Sequence, residues 1–464
     1  MEVINRLGKF LIEPKQQISE KDKRFSNHDL FILILPIIIE QFLALLVGIA
    51  DTLMVSYAGE TAVSAVSLDN QLNNVFIMVF SALAAGGAVV ASQYVGKGDR
   101  KTGSFSASQL VMITTLISVI MTVIVLMFNR QIFSMLFGEV EQGVLNDGLV
   151  YLRISAYSFP FLALYNSCAG LYRSIGKTKT IMNVSLIMNL INVVGNAIGI
   201  FVLHAGVRGV AYPSLISRIF AAMVMLVLCM NQKNMIYIRL KDILTWNTSM
   251  LKRIFKIAVP NGIENGLFQI AKVALSSLVA MFGTVQIAAN GVAQSFWSMS
   301  ALSAMAMGPA FITVIGQYMG AGDIQGAEYY MKKLVRITWT FGAVWNLFFF
   351  AITPLLLKLY SLSEEAIQLI IILVIIHNVF NAIFAPLAFS VASGMRAAGD
   401  VKYTMYASVF STVICRVILS YVFALWLNLG VIGVTIAMVL DWVIHAVLIV
   451  IRWKNGKWKT FQVI

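Results

Sequence analysis

Hydrophobic residues in this chain form long runs separated by short polar stretches. The runs at 31–50, 113–128 and 409–427 carry almost no charge and approach the length of about 20 residues that crosses a bilayer as a helix. Twelve such runs are present, and each predicts a transmembrane helix. The predicted spans are 31–57, 62–94, 106–128, 149–172, 180–203, 209–230, 253–282, 285–318, 334–357, 366–393, 404–427 and 430–452.

Composition supports an all-α integral membrane protein. Of the 464 residues, 59% are hydrophobic and 12% are charged, whereas a soluble domain has about 25% charged residues. The net charge of +13 does not indicate nucleic-acid binding, because the basic residues are dispersed among the connections between spans. The three cysteines lie in apolar stretches and predict neither a disulfide framework nor a metal site. The first apolar run is too long for a cleavable signal and should remain in the membrane.

Lysine and arginine residues predict the orientation. With the N-terminus in the cytoplasm, the cytoplasmic tails, connections and helix ends hold all but seven of the 34 basic residues. The outer side then holds Arg130, Arg208 and Lys358. This asymmetry follows the positive-inside rule and places both termini in the cytoplasm. Within the N-terminal tail, Ile4, Leu7 and Leu11 are compatible either with an amphipathic surface helix or with a disordered basic tail.

An internal repeat relates the two halves of the chain. A shift of 224 residues aligns Pro36 with Pro260 and Glu40 with Glu264. The same shift aligns the Gln-Tyr-x-Gly-x-Gly-Asp strings that begin at Gln93 and Gln317. Each half therefore has six spans and enters the membrane in the same direction, which predicts two pseudo-symmetric lobes and suits alternating access.

The repeat and the polar stretches between spans define the predicted domains. They are a cytoplasmic tail (1–30), an N-terminal lobe (31–230), a cytoplasmic linker (231–252), a C-terminal lobe (253–452) and a second cytoplasmic tail (453–464).

Several short motifs follow one another over nearly the whole chain. They are Pro36 with Ala50-Asp51-Thr52, the string 93–99, Tyr151-Leu152-Arg153, the string 394–400 and the string 452–458. Taken in order, these motifs resemble the multidrug and toxic compound extrusion family. A major facilitator is disfavoured because the loop after span 2 lacks that superfamily's Gly-x-x-x-Asp-Arg-x-Gly-Arg-Arg spacing. The resemblance implies cation-coupled export of small organic compounds, often cationic, amphiphilic drugs, by a protein of the bacterial cytoplasmic membrane.

Ionisable residues inside spans are functional candidates because they cost at least about 2–3 kcal/mol to insert. Asp51 in span 1 is the leading one. Span 5 adds a polar stripe at Asn189, Asn192 and Asn196, which could also join helices through amide hydrogen bonds. The resemblance implies an ion site formed by Asp51, Asn192, position 196 and Ser214. Family members have a carboxylate where this chain has Asn196, so either a proton or sodium is a possible coupling ion, with a slight preference for the proton.

Further candidates for substrate binding or gating come from both halves. Glu40 lies on the same face of span 1 as Asp51, about 16 Å along the axis. The resemblance also implies a second ion site with carboxylates in spans 7 and 10, and the matching positions in this chain are Phe268 and Ala385. A substrate cleft between or within the halves is expected to involve the carboxylate, aromatic, amide, ammonium and methionine groups of Glu264, Phe268, Gln269, Lys272, Trp297 and Met299.

Two other functional classes remain as alternatives. A lipid-linked precursor flippase of the same wider superfamily ranks second, because such proteins often have fourteen spans and a cationic cavity. A membrane enzyme is disfavoured, since no catalytic constellation or Walker motif is found. We expect a monomer in the lipid bilayer with small-molecule substrates, no nucleic-acid partner and no cofactor other than the coupling ion.

Overall fold

The computed structural model describes residues 12–15, 18–19, 22–138, 141–358, 360 and 362–464, and these form long helices joined by short turns. The first six long helices follow the predicted spans of the N-terminal half. They are α1 (Asn27–Ser56), α2 (Glu60–Lys97), α3 (Arg100–Phe137), α4 (Gln142–Ser174), α5 (Thr178–Val202) and α6 (Arg208–Cys229).

Six further long helices follow in the second half. Two are segmented: α8 is interrupted after Met305 and resumes at Gly308, and α10 contains the π-helical stretch Pro386–Val391. Their bounds are α7 (Thr248–Ala280), α8 (Thr284–Gly320), α9 (Ile324–Leu357), α10 (Glu364–Ala398), α11 (Val401–Trp426) and α12 (Gly430–Lys454).

The hydrophobic pattern explains this architecture and confirms the predicted fold class. Among the described residues, ten helices are long and apolar enough to cross a membrane. The other two of the twelve long helices, α4 and α7, carry more polar and charged residues. The protein is therefore an all-α, multi-pass membrane protein with two sets of six helices.

The sequence repeat is also a structural repeat. Gly98 and Gly322, which the 224-residue shift aligns, both have positive φ values (78° and 74°) at the end of a helix. The next residue in each case, Asp99 or Asp323, accepts a hydrogen bond from the backbone three residues later. Wider π-helical turns also recur in register, at Ile198–Val202 in α5 and Val422–Trp426 in α11.

The chain divides by internal contacts into two compact units. One contains 27–262, and the other contains the described residues of 263–463 together with those before Asn27. Each unit has its own hydrophobic core. One cluster in the first unit surrounds Phe80 and Phe159, and one in the second surrounds Trp297 and Trp442. The division falls within α7, and the cytoplasmic placement of the tails and linker stays a prediction.

The N-terminal segment before α1 packs on the second unit. Lys333 of α9 is 2% exposed and forms an ion pair with Glu13 at 2.7 Å. The hydroxyl of Tyr318 accepts a hydrogen bond from the backbone N–H of Arg24 at 2.7 Å. Tyr330 donates to the carbonyl of Phe25. The proposed amphipathic stripe at 4, 7 and 11 lies outside the described residues.

The predicted linker is ordered against α3. The side-chain amide of Gln109 donates to the carbonyl of Asp242 at 2.8 Å and accepts from the backbone N–H of Asn247 at 3.1 Å. Ser108 accepts from the backbone N–H of Arg239 at 2.9 Å. These contacts satisfy backbone groups of the connection, so a polar stretch without a long helix still has a fixed position.

Candidate ion-coupling site

The structure brings the four predicted ion-site residues together inside the first unit. Asp51 lies five residues before Ser56, the last residue of α1, and is partly buried. The amide nitrogen of Asn196, on α5, donates to Asp51 Oδ1 at 2.7 Å. Asn196 is fully buried. One amide hydrogen bond therefore fixes the carboxylate of α1 against α5.

Asn192 links this pair to α6. Its amide group lies 2.9 Å from Asp51 Oδ1 and 2.9 Å from Ser214 Oγ. Hydrogen-bond chemistry favours the orientation in which its nitrogen donates to Asp51 and its oxygen accepts from the Ser214 hydroxyl, since a carboxylate only accepts. Asn192 and Asn196 are one helical turn apart, so both amides reach the same carboxylate.

The site offers oxygen atoms around one formal negative charge. The side-chain oxygen of Asn196 is buried and has no hydrogen-bond partner among the described residues. Carboxylate, amide and hydroxyl oxygens are ligands suited to hard cations. A proton can neutralise the same carboxylate. The arrangement can therefore hold either a proton on Asp51 or a monovalent cation beside it.

Asp51 also faces a cavity of about 190 Å³, which we call the N-lobe cavity. Ser214 and Tyr151 line it, as does Arg218, whose guanidinium donates to Ser158 Oγ at 2.5 Å. Neither Arg218 nor Tyr151 was a candidate from the sequence. The available signal for Arg218 was its position one helical turn after Ser214, on the same face of α6.

Asp69 of α2 is a second carboxylate that sequence reasoning misplaced. The polar residues Asp69, Asn70, Asn73 and Asn74, near the outer start of span 2, predict a water-exposed vestibule wall, and Asn70 does line the N-lobe cavity. Asp69 itself is fully buried, however, and neither carboxylate oxygen has a hydrogen-bond partner among the described residues. The helical rotation between adjacent residues explains the difference, because Asp69 and Asn70 point in directions about 100° apart.

Glu40 and Glu264, two of the substrate or gating candidates, occupy equivalent ion pairs in the two units. Arg173 binds Glu40 at 2.6 Å, and Arg396 binds Glu264 at 2.9 Å. Each pair joins the first helix of its repeat, α1 or α7, to the end of the fourth helix, α4 or α10. Both carboxylates are thus already balanced by a guanidinium.

The remaining candidates lie in the second unit and do not form one cluster. The ring centroid of Phe268 is 4.4 Å from the guanidinium carbon of Arg416, while Trp297 stacks on Trp442 with centroids 5.7 Å apart. Lys272 and Trp297 line a common cavity. Met299 packs against another hydrophobic cluster, and Gln269 is partly buried.

Arg416 and Asp441 lie on consecutive spans, which predicts an inter-helix pair, and the structure contains this pair. The Nε atom of Arg416 binds Asp441 Oδ2 of α12 at 2.7 Å, and both residues are buried. Arg416 lies in the π-helical stretch Ser411–Ile418 of α11. Such widened turns alter the direction of side chains and often occur at functional sites.

Comparison with known proteins identifies the family. The MatE family model matches twice, at residues 36–198 and 260–422, once in each repeat. The chain belongs to the MatE family. This result confirms the resemblance inferred from the sequence motifs, and MatE is a transporter family.

Relatives match the chain over nearly its whole length. The uncharacterized transporter YisQ of Bacillus subtilis (strain 168) is 27% identical, over 94% of this chain and 95% of YisQ. A probable multidrug resistance protein NorM of Thermotoga maritima is 24% identical, over 96% and 95%. The outward-facing structure of a multidrug resistance MATE family transporter of the MOP superfamily gives a TM-score of 0.87 at 20% identity, covering 93% and 96%. This MatE protein therefore shares the fold as well as the sequence pattern.

Proposed function

We propose that this MatE protein is a secondary active antiporter of the bacterial cytoplasmic membrane. It exports small organic compounds, often cationic and amphiphilic, in exchange for protons or sodium by alternating access. The relatives named as multidrug resistance proteins support the substrate class, and their bacterial sources support the location. The observation that carries the coupling mechanism is the Asp51 carboxylate held by Asn192 and Asn196.

Antiport requires that ion binding and substrate binding oppose each other. A partly buried carboxylate inside a membrane protein favours a bound positive charge, because an isolated charge is poorly solvated there. The proton, sodium and an organic cation can each supply that charge. If a proton or sodium occupies Asp51, the attraction for a cationic substrate is reduced, and release of the substrate becomes favourable.

The charge of the site favours a proton while remaining compatible with sodium. Asp51 supplies one formal negative charge, and Asn192, Asn196 and Ser214 supply neutral groups. One proton cancels one carboxylate completely. The nearby Arg218, which lines the same cavity, further reduces the field that would attract a sodium ion.

Reconstitution into proteoliposomes tests this function. Vesicles containing the purified protein are given a fluorescent organic cation. A gradient of protons and a gradient of sodium across the vesicle membrane are then imposed in separate experiments. We expect either gradient to drive the dye in the direction opposite to the ion. We expect no such movement in protein-free vesicles. The proposal fails if neither gradient moves any member of a panel of cationic compounds. Gradient-independent flipping of a labelled lipid-linked precursor would instead favour the flippase alternative.

A further inference from the structure

The second unit contains a cavity equivalent to the N-lobe cavity, and we call it the C-lobe cavity. It has a volume of about 60 Å³ and lies between residues of α7, α8, α11 and α12. Eight of its ten lining residues are 224 positions after residues that line the N-lobe cavity. Among these pairs, Lys272 corresponds to Gly48, and Leu275 corresponds to Asp51. The two cavities thus occupy the same place in the two repeats.

The substitutions between the repeats reverse the chemistry of the cavity. Where the first repeat has the coupling carboxylate Asp51, the second has Leu275. Where it has Asn192, the second has Arg416. Lys272 adds another positive charge, and Asp441, paired with Arg416, supplies one negative charge. The charged groups at the C-lobe cavity therefore leave an excess of one positive charge.

Several hydrogen-bond donors at this cavity lack acceptors. Arg416 is 1% exposed, and its Nη2 atom has no hydrogen-bond partner among the described residues. The buried indole N–H of Trp297 also lacks one within the same part of the chain. The ammonium group of Lys272 has no ion-pair or hydrogen-bond partner in the described structure. Lys272 is exposed and lines the cavity.

Donor-only groups select the sign of the ligand. Guanidinium, ammonium and indole N–H groups cannot accept a hydrogen bond, so they cannot coordinate a cation. A buried donor without an acceptor costs about 1–3 kcal/mol. A carboxylate offers two oxygens with several lone pairs and can accept from two or more of these donors at once. Apolar Leu275 and Met438 beside them can contact the hydrocarbon part of an organic acid.

We propose that the C-lobe cavity binds the carboxylate group of a small organic acid, with Lys272, Arg416 and Trp297 as its donors. Lys272 approaches from the exposed side, whereas Arg416 is held at the base by Asp441 and by the ring of Phe268. This site is separate from the Asp51 site and opposite in charge preference. A MatE protein built this way accepts compounds bearing a carboxylate in addition to cations.

Calorimetric titration of the purified full-length protein with benzoate, in low-chloride buffer, tests the proposal. Saturable binding is expected for the wild type. Lys272→Met should weaken it at least about tenfold by removing the exposed positive charge. Trp297→Phe, which keeps an aromatic ring but removes the donor, should weaken it several-fold. Lys256→Met, an equivalent change at an exposed lysine of the same helix, is the matched control and should bind as the wild type does.

The possible outcomes separate the ligand classes. Absence of saturable benzoate binding, or equal affinity in Lys272→Met and the wild type, would overturn the proposal. Binding of chloride without any carboxylate would also overturn it, because the cavity would then be a halide site. The measurement needs no ion gradient, so it reports on this cavity even if the proposed antiport is wrong.

Discussion

At the scale of single residues, the Asp51 site has an amide at position 196, which a second carboxylate could occupy. Asn196 donates to Asp51 at 2.7 Å, a contact that requires the N–H of an amide. An aspartate at 196 could make it only if one of the two carboxyl groups carried a proton. With an amide at position 196, the pair carries one negative charge, on Asp51, and can take up one proton.

Restoring the second carboxylate should shift the preference toward sodium. In Asn196→Asp, two carboxylates would face each other, and a cation between them would relieve the repulsion. A unit charge about 4 Å from a cation contributes on the order of a few kcal/mol at the effective dielectric of a protein. We expect sodium to bind at least about tenfold more tightly. Calorimetric sodium titration at pH 8 measures this.

Asn189→Asp provides the comparison for that experiment. It adds the same charge to the same helix, and Asn189 has no contact with Asp51 among the described hydrogen bonds. Its sodium affinity should stay close to that of the wild type. Equal tightening in both variants would mean that the overall charge of α5, and not the contact with Asp51, sets ion affinity.

The polar residues of spans 1 and 5, together with the family resemblance, predicted which four residues lie together but not how they contact each other. A carboxylate and an amide stripe are conspicuous in apolar spans because inserting them is costly. The distances depend on the packing of α1, α5 and α6, which periodicity does not fix. Asp69 was misplaced because neighbouring polar residues were assigned to one surface. Its burial is set by the helices around α2 rather than by its local sequence.

At the scale of helices, the turn between α2 and α3 is fixed by a capping residue outside the spans. The backbone N–H and side chain of Thr102 donate to the Asp99 carboxylate, and these hydrogen bonds hold its pKa below the usual value. A side-chain cap of this kind satisfies an otherwise unpaired amide at the start of a helix.

Asp99→Ala should therefore destabilise the protein by about 1 kcal/mol near neutral pH. Because the folded-state pKa is lowered, the advantage of Asp99 is present above the ordinary aspartate pKa of about 3.9. It is lost as the pH falls through the lower folded value. Thermal unfolding in detergent, compared at neutral and acidic pH, measures the difference. Asp99→Asn, which can still cap, should retain most of the stability without the acid-dependent loss.

Hydropathy predicted the helices well because a bilayer imposes their length and requires internal backbone hydrogen bonding. Each of the twelve predicted spans corresponds to one long helix. The π-helical stretches of α5, α10 and α11 could not be predicted, because the hydrophobic run continues through them while the helical turn becomes wider. The packing of 231–247 against α3 could not be predicted either, because it depends on polar groups of α3.

At the scale of the whole molecule, one repeat has produced two cavities with different chemistry. Equivalent ion pairs, Glu40–Arg173 and Glu264–Arg396, are retained in both units. The cavity residues have diverged, with Asp51 in the first unit and Lys272 and Arg416 in the second. The retained pairs join the first and fourth helices of each repeat, while the diverged positions are those we associate with ligands.

The predicted topology places the connection between the halves in the cytoplasm. We expect Lys241→Cys, in a background without the three native cysteines, to resist a membrane-impermeant maleimide in intact cells and to react after permeabilisation. Glu365→Cys lies in a predicted outer connection and should react in intact cells. Reaction of position 241 from outside would contradict the orientation inferred from lysine and arginine.

The central claim is that Asp51 couples an ion gradient to export, and Asp51→Asn tests it most directly. The substitution keeps the size of the side chain and removes its charge. In proteoliposomes, we expect this variant to be folded and to lose gradient-driven transport of an organic cation. Asp29→Asn, the same change at an exposed position of α1, should transport as the wild type does. Full gradient-driven transport by Asp51→Asn would contradict the account and place the coupling site elsewhere.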